Sequence, residues 1–236
     1  MIRLKRSETL QRLIRQDDIA DLGVSDWTLL RRMIKEGDKE EALRILDYSF
    51  TNYRGLMDSL ILFRQMALTE IASHGEEQVD KIHRARFVPY VKNWLETTAG
   101  VMESMQRFTE AERGTAMIDF AVVEEPDRYV VSLDPCGTGG RMRRAGQVKG
   151  VTRKGYTWSW GMAGVPYYCT HCCAFHETLA TEVRGYPICV TDFSQDPDKP
   201  CRHLYYKEPE LIPDEYFTRI GHVPYRLRKD KKQVGK

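Results

Sequence analysis

The chain has 236 residues, with 36 Lys and Arg against 34 Asp and Glu, so its formal net charge is only +2. This balance gives no argument for nucleic-acid binding, and no run of about 18 apolar residues predicts a membrane span. Hydrophobic residues make up 42% and charged residues 30%, which is typical of a globular protein with an ample core. The basic N-terminus lacks the apolar stretch of a secretory signal, so we expect a cytoplasmic protein.

The first helices are predicted from their caps. Ser7 precedes an apolar stripe and predicts a first helix. Ser25 is a typical N-cap for residues 27–34, and Gly37 is a typical stop for that helix. The stripe that follows Ser7 consists of Leu10, Leu13 and Ile14.

A long helix and two shorter ones are predicted next. Asp38 caps a stretch in which apolar residues recur every three or four positions, until His74 and Gly75 end it. Residues 77–113 then predict a pair of helices, which break near Gly100.

The pattern changes to strands near residue 114. Residues 116–123 and 128–133 predict a hairpin, and 186–191 and 201–206 predict two further strands. A helix is predicted over residues 170–183. The fold class is therefore α+β, with a helical N-terminal half packed on a small antiparallel sheet that carries a Cys/His-rich metal-type site.

Three regions are predicted along the chain. Residues 1–114 form a helical region, 115–225 form the α+β cysteine-rich region, and 226–236 form a basic, solvated tail. The sheet alone is small for an independent core, so one integrated domain is the alternative.

All six cysteines lie in the second half of the chain, and three of them fall within five residues. Cys169 and Cys172 form a C-x2-C pair, and Cys173 and His176 repeat the same spacing. Because the intervening turn points both ligands at one place, this spacing favours a metal. In a reducing cytoplasm it favours metal binding over disulfides.

Two cofactors fit these cysteines. Mixed sulfur and nitrogen ligands favour zinc. The candidate zinc ligands are Cys136, Cys169, Cys172 or Cys173, and His176. An iron–sulfur cluster is the alternative, with Cys136, Cys169, Cys172 and Cys201 as its ligands.

A glycine-rich and arginine-rich loop follows Cys136. Gly137 and Gly139 allow successive backbone N–H groups to form an anion nest, and Arg141 and Arg143 add guanidinium groups that suit a carboxylate or phosphate. The loop therefore predicts a site for an acidic substrate group, with a tight turn and a solvated basic face as the alternative.

Two carboxylates are candidate acid–base groups. Glu177 follows His176 on the predicted helix and could act on metal-bound water, while Asp134 precedes the loop. Cys136 is a candidate nucleophile in its own right, because nearby amides and arginines favour a thiolate. His171, His176 or His203 would then serve as its base.

Aromatic residues adjoin the cluster. Trp158, Trp160 and Tyr168 are candidates to line a pocket for a flat or apolar ligand, and a plain hydrophobic core is the alternative.

Residues 115–207 contain Cys136, Cys189, Asp192 and Cys201 in this order along the chain. This order resembles the L-2-amino-thiazoline-4-carboxylate hydrolase-like proteins and the related four-vinyl-reductase-like ligand-binding domains. The chain departs from them in its dense cluster at residues 169–176 and in its glycine-rich loop. The resemblance implies an α+β fold that encloses a small heterocyclic or aromatic ligand.

We therefore expect a zinc-dependent hydrolase that acts on a small acidic or aromatic molecule. Two alternatives remain open. One is a non-enzymatic ligand or redox sensor with structural zinc or an iron–sulfur cluster, and the other is a cofactor-free enzyme with Cys136 as nucleophile. The expected partner is an anionic or aromatic small molecule rather than a membrane or nucleic acid. The sequence leaves open whether the chain forms a homo-oligomer.

Overall fold

A computed structural model describes residues 3–9 and 12–228 of the chain. Within them the fold combines helices with small antiparallel sheets, so the α+β class is confirmed. The chain forms two compact units, of which the first ends at Met57 and the second begins at Asp58. Most of the predicted basic tail, residues 229–236, lies outside the described residues.

The first unit begins with a β-hairpin where the sequence predicts a helix. Strand β1 (Leu4–Ser7) pairs antiparallel with β2 (Arg12–Arg15), so that prediction is wrong, and Leu10 lies outside the described residues. A helix and a two-stranded hairpin of this length are both marginal in water, so contacts with the rest of the unit decide between them. Arg15 fixes the end of β2, because its guanidinium donates to the carbonyls of Asp21 at 3.2 Å and Val24 at 2.9 Å.

The next two helices confirm their predicted caps. In α1 (Asp26–Glu36), the Ser25 hydroxyl accepts from the N–H of Thr28 at 3.3 Å, and Gly37 ends the helix at a φ of +81°. This left-handed conformation suits glycine. Helix α2 (Lys39–Ser73) begins where Asp38 accepts from the N–H of Glu41 at 3.1 Å.

Two helices of the second unit match the predicted pair over residues 77–113. Helix α3 spans Glu77–Thr97 and α4 spans Val101–Glu110, with the chain breaking at Gly100 as predicted. A π-helical segment, Ala111–Thr115, extends α4.

Four strands form the sheet of the second unit, in the order β3-β4-β6-β5 with antiparallel neighbours. Their bounds are β3 Ala121–Glu124, β4 Arg128–Leu133, β5 Val190–Asp192 and β6 Cys201–Tyr206. The predicted hairpin is confirmed for β3 and β4, although the first strand begins later than predicted. Leu133, the last residue of β4, pairs with Cys201 at the start of β6.

The helix predicted over residues 170–183 is confirmed, with a widened centre. It consists of α6 (Thr170–Cys172), a π-helical segment (Cys173–Thr178) and α7 (Leu179–Arg184). Two further helices are α5 (Gly139–Arg144) and α8 (Asp214–Thr218), and two 3₁₀ turns cover Thr157–Ser159 and Pro209–Leu211.

Helices α3 and α4 pack on the sheet of the second unit. Trp94 of α3 and Phe108 of α4 share a buried cluster with Val131, Leu133 and Tyr205 of the strands. Full burial of each large apolar side chain is worth about 1.5–3 kcal/mol. The boundary predicted at residue 114 therefore falls inside one unit, where the helices before it and the strands after it share a core.

A second cluster of the same unit contains most of the aromatic stretch. Trp158 and Tyr167 pack with Leu68 of α2 in this cluster. The buried Glu76 carboxylate ties the stretch to the start of α3, because it accepts from the hydroxyls of Tyr156 and Tyr167, each at 2.7 Å. The aromatic stretch is therefore largely core.

Candidate functional site

A cavity of about 190 Å³ lies in the second unit, and four of the chain's six cysteines and three of its six histidines line it. Its sulfur and nitrogen groups are Cys136, Cys169, Cys172, Cys201, His171, His176 and His203. Its rings are Tyr90, Trp94, Phe108, Trp160, Tyr168, Phe175 and Phe193. Within the described part of the chain, its only charged lining residue is Glu112.

Three separate segments of the chain bring the four thiols to this cavity. Cys136 follows β4, Cys201 begins β6, Cys169 caps α6, and Cys172 ends α6. The Cys136 sulfur accepts from the N–H of Gly140 at 3.0 Å.

Gly139 permits the close approach of the Cys136 loop to α6. A Cβ atom at this position would lie 2.6 Å from the Cys169 sulfur, which no real contact allows. The glycines of the loop therefore bring Cys136 and Cys169 to one wall of the cavity. Of the two glycines from which the sequence predicts an anion nest, Gly139 lines the cavity, whereas Gly137 does not, and the Gly137 Cβ position lies 2.6 Å from the Ala116 side chain.

Burial holds the cavity thiols in their neutral form. It raises the pKa of Cys136, of Cys169 and of Cys172, and it raises the pKa of Cys201 to about 12. The mutual charge interactions of the four thiols act in the same direction. None of the four is an activated thiolate in the absence of a cation.

The three cavity histidines are also neutral. Burial lowers the pKa of His171 to about 4 and of His203 to about 3, and it lowers the pKa of His176 well below its ordinary value. His171 bonds through Nδ1 to the carbonyl of Tyr168 at 2.6 Å, and its Nε2 lies 3.5 Å from the Cys172 sulfur. A neutral imidazole can both donate and accept a hydrogen bond.

The structure revises the predicted metal ligands. Cys136, Cys169, Cys172 and His176 line the cavity, and Cys173 does not. The Cys173 sulfur is fully buried and donates to the carbonyl of Thr157 at 3.3 Å. Among the described residues, no three His, Cys, Asp or Glu side chains are placed to hold a single metal ion.

Glu177 is a structural carboxylate and not a cavity group. It is fully buried and lies outside the cavity lining. It accepts from Trp160 Nε1 at 2.7 Å and from the N–H of Thr191 at 2.8 Å, and Arg219 donates to both of its oxygens at 2.9 and 2.7 Å. Because these bonds occupy the carboxylate outside the cavity lining, the structure does not bring Glu177 to the site, and its catalytic role stays a prediction.

Asp134 also lies outside the cavity lining. Its side chain is 59% exposed and pairs with Arg144. The predicted role of Asp134 in proton transfer therefore lacks access to the cavity.

The predicted arginine clamp is absent from the cavity. Arg141 pairs with Asp58 through bonds of 3.0 and 2.7 Å. Arg143 is buried, donates to the carbonyls of Ser194 and Gln195, and stacks on a phenylalanine ring. Both guanidinium groups are therefore committed to other parts of the fold.

The predicted aromatic lining is right at two of its three positions. Trp160 and Tyr168 line the cavity, whereas Trp158 stacks on Tyr156 within the core, 4.6 Å between ring centroids. Trp160 adopts a positive φ of 55° and stacks on Phe193 at 5.1 Å.

Several lining residues escaped the sequence analysis. Glu112 comes from the π-helical segment after α4. π-Helical turns occur frequently at functional sites, but no local sequence pattern predicts them. Thr191 reaches the cavity only because β5 pairs with β6, which places it opposite His203.

Comparisons with known proteins add no relative. No protein-family model, curated protein or solved structure matches the chain. In the described part of the chain, every helix is too short or too polar to cross a membrane. The resemblance over residues 115–207, the cytoplasmic location and the homo-oligomer stay predictions.

Proposed function

We propose that this protein is a redox protein that carries an iron–sulfur cluster. Its ligands are Cys136, Cys169, Cys172 and Cys201. The observation that carries this proposal is that these four thiols, from three separate segments of the chain, line one cavity. Bound there, such a cluster supplies one-electron transfer.

The spacing of the donors favours a cluster over one zinc ion. Zinc holds four thiolates about 2.3 Å from one point, which requires sulfurs only about 3.8 Å apart. A cluster spreads its thiolates over several irons and tolerates a wider set. The four thiols share a cavity, while no three donors of the described residues converge on a single ion.

The surroundings of the thiols suit a cluster. Aromatic rings form much of the cavity wall and make it largely apolar, and the Gly140 N–H donates to the Cys136 sulfur. Hydrogen bonds to the sulfurs and low solvent exposure are the features that set a cluster's potential. Because the thiols are neutral before metal arrives, binding releases their protons.

The other two functions receive less support. A zinc hydrolase would need a base and an anion clamp, and Glu177, Arg141 and Arg143 are bonded elsewhere. A Cys136 nucleophile would need a lowered pKa, whereas burial raises it.

Substitution of single cysteines tests this proposal. Each cavity cysteine is replaced by serine, and Cys173→Ser and Cys189→Ser serve as controls, because both thiols are buried but lie outside the cavity. The proteins are purified without oxygen, and iron, sulfide and visible absorption are measured. We expect Cys201→Ser to lose iron and colour while both controls keep them. Equal iron in Cys201→Ser and in the controls would refute the ligand set.

A further inference from the structure

A second cavity of the second unit has a volume of about 170 Å³ and shares no lining residue with the cavity of the four cysteines. Arg184, the last residue of α7, lines this second cavity. Much of the remaining wall consists of aliphatic side chains, which are Val101, Ile188, Val190, Leu204 and Ile212. The second cavity therefore combines an apolar wall with one guanidinium group.

The Arg184 guanidinium has hydrogen-bond donors left over. Its Nε donates to the carbonyl of Tyr186 at 3.2 Å, its Nη2 donates to the carbonyl of Pro187 at 2.7 Å, and the Tyr186 ring stacks on it at 4.0 Å. A guanidinium carries five N–H groups, and two are used, so three on Nη1 and Nη2 have no partner in the described part of the chain. Two neighbouring N–H groups are enough to bind both oxygens of a carboxylate.

The positive charge of Arg184 has no counter-ion among the residues that the structure describes. The groups whose charge acts on it are Tyr186 and Cys189, and no carboxylate is among them. Carbonyl dipoles offset part of this charge, while burial lowers the pKa of the guanidinium. Because a partly buried cation without a counter-ion is costly, the site favours an anion.

The other two charged residues that line the second cavity are paired or exposed. Lys207 donates to the Glu124 carboxylate at 2.6 Å, so its charge is already matched. Glu208 is exposed, so water and salt screen its charge. Arg184 is therefore the group of this cavity that can bind an anion.

We infer that the second cavity binds a small monocarboxylate, with its carboxylate on Arg184 and its aliphatic part against Val101, Ile188 and Leu204. The size follows from the volume, because an apolar cavity of about 150 Å³ accepts benzene. A ligand of about six non-hydrogen atoms, such as a branched four-carbon acid, matches this volume. The inference does not depend on the proposed cluster, since the two cavities share no lining residue.

Calorimetric titration of the full chain with isobutyrate tests this inference, and isobutyramide is the matched neutral probe. The two molecules have the same shape, and only isobutyrate is charged. We expect isobutyrate to bind at least about tenfold more tightly, since hydrogen bonds between charged groups are roughly twice as strong as neutral ones. Equal affinity for the two probes, or no isobutyrate binding, would overturn the inference.

Replacing Arg184 locates the carboxylate. Arg184→Met removes the cation and keeps much of the volume, so isobutyrate affinity should fall at least about tenfold. Arg143→Met is the matched control, because Arg143 also donates to two carbonyls and stacks on an aromatic ring but lies outside the second cavity. We expect Arg143→Met to bind isobutyrate like the unaltered chain. Unchanged affinity in Arg184→Met would contradict the inference.

A second pair of variants keeps Arg184, which also ties the segment after α7 to the helix. Val101→Phe fills part of the second cavity, so we expect it to weaken the binding of isobutyrate. Met102→Phe is its control, since Met102 is 42% exposed and lies outside the cavity lining. Circular dichroism confirms that both variants are folded. Equal isobutyrate affinity in folded Val101→Phe and Met102→Phe would place the ligand elsewhere and overturn the inference.

Discussion

Replacing Arg219 by methionine tests the structural role of Glu177. The arginine donates to both oxygens of the fully buried Glu177 carboxylate and is itself 21% exposed. Methionine fills a similar volume but leaves the carboxylate with two neutral donors, Trp160 Nε1 and the N–H of Thr191. Removing one partner of a buried ion pair costs about 3–5 kcal/mol. Because two donors remain, we expect Arg219→Met to lower the free energy of unfolding by about 3 kcal/mol at pH 7.

The loss should depend on pH. Burial raises the pKa of Glu177, and Arg219 opposes that rise through its charge and hydrogen bonds. Without Arg219 the folded pKa rises further above the unfolded value of about 4.3. A raised folded pKa favours folding of the protonated form, and this advantage disappears as pH rises through that pKa. The loss in the free energy of unfolding that Arg219→Met causes should therefore be small near pH 4 and grow toward pH 7.

Urea unfolding of the full chain at both pH values measures the deficit, with tryptophan fluorescence as the signal. Arg226→Met is the matched control, since Arg226 pairs with Asp214 at the surface and its side chain is 66% exposed. An exposed pair of this kind is worth about 0–1 kcal/mol. A deficit below about 1 kcal/mol for Arg219→Met at pH 7, or one independent of pH, would refute the reasoning.

Two further predictions concern the cavity loop and the start of α3. Gly139→Ala places a Cβ atom 2.6 Å from the Cys169 sulfur and should sharply lower the iron content. Gly23→Ala is the control, because no atom lies within 4 Å of its added Cβ, and it should leave the iron content unchanged. Elemental analysis of both proteins measures the difference. Glu76→Gln should cost about 2 kcal/mol at pH 7, because the buried carboxylate accepts hydrogen bonds from two tyrosine hydroxyls and one backbone N–H. Burial acts to raise the pKa of Glu76, but these bonds outweigh it and lower the pKa. The stabilisation is therefore complete above the unfolded pKa of about 4.3 and lost as pH falls through the folded pKa, so the cost in urea unfolding should shrink below pH 4. A cost that is equal at pH 3 and pH 7 would contradict this assignment.

Local signals predicted most of the helices. The caps at Ser25, Gly37 and Asp38 and the break at Gly100 each depend on one or two residues and their neighbours, so the sequence contains the information. The hairpin of β3 and β4 follows from its turn in the same way. The sequence does not predict the N-terminal hairpin, because a five-residue apolar stripe does not distinguish a helix from paired strands.

The roles of charged residues were not predictable, because their partners are distant in the chain. Arg141 meets Asp58 across 83 residues, and Glu177 meets Arg219 across 42 residues. Composition and spacing around Arg141 and Glu177 were consistent with catalysis, and only the tertiary fold shows that both are engaged in structure. The set of cavity cysteines was predictable, because the iron–sulfur alternative names Cys136, Cys169, Cys172 and Cys201. What the sequence does not contain is the pairing of β4 with β6, which brings Cys201 next to the end of β4.

The most direct test of the central claim is the iron and acid-labile sulfide content of the chain purified without oxygen, measured with its visible spectrum. The proposal predicts a brown protein with about two or four irons per chain, matching sulfide, and absorption that bleaches on reduction. A colourless protein without iron, whether it holds one zinc or no metal, would contradict it.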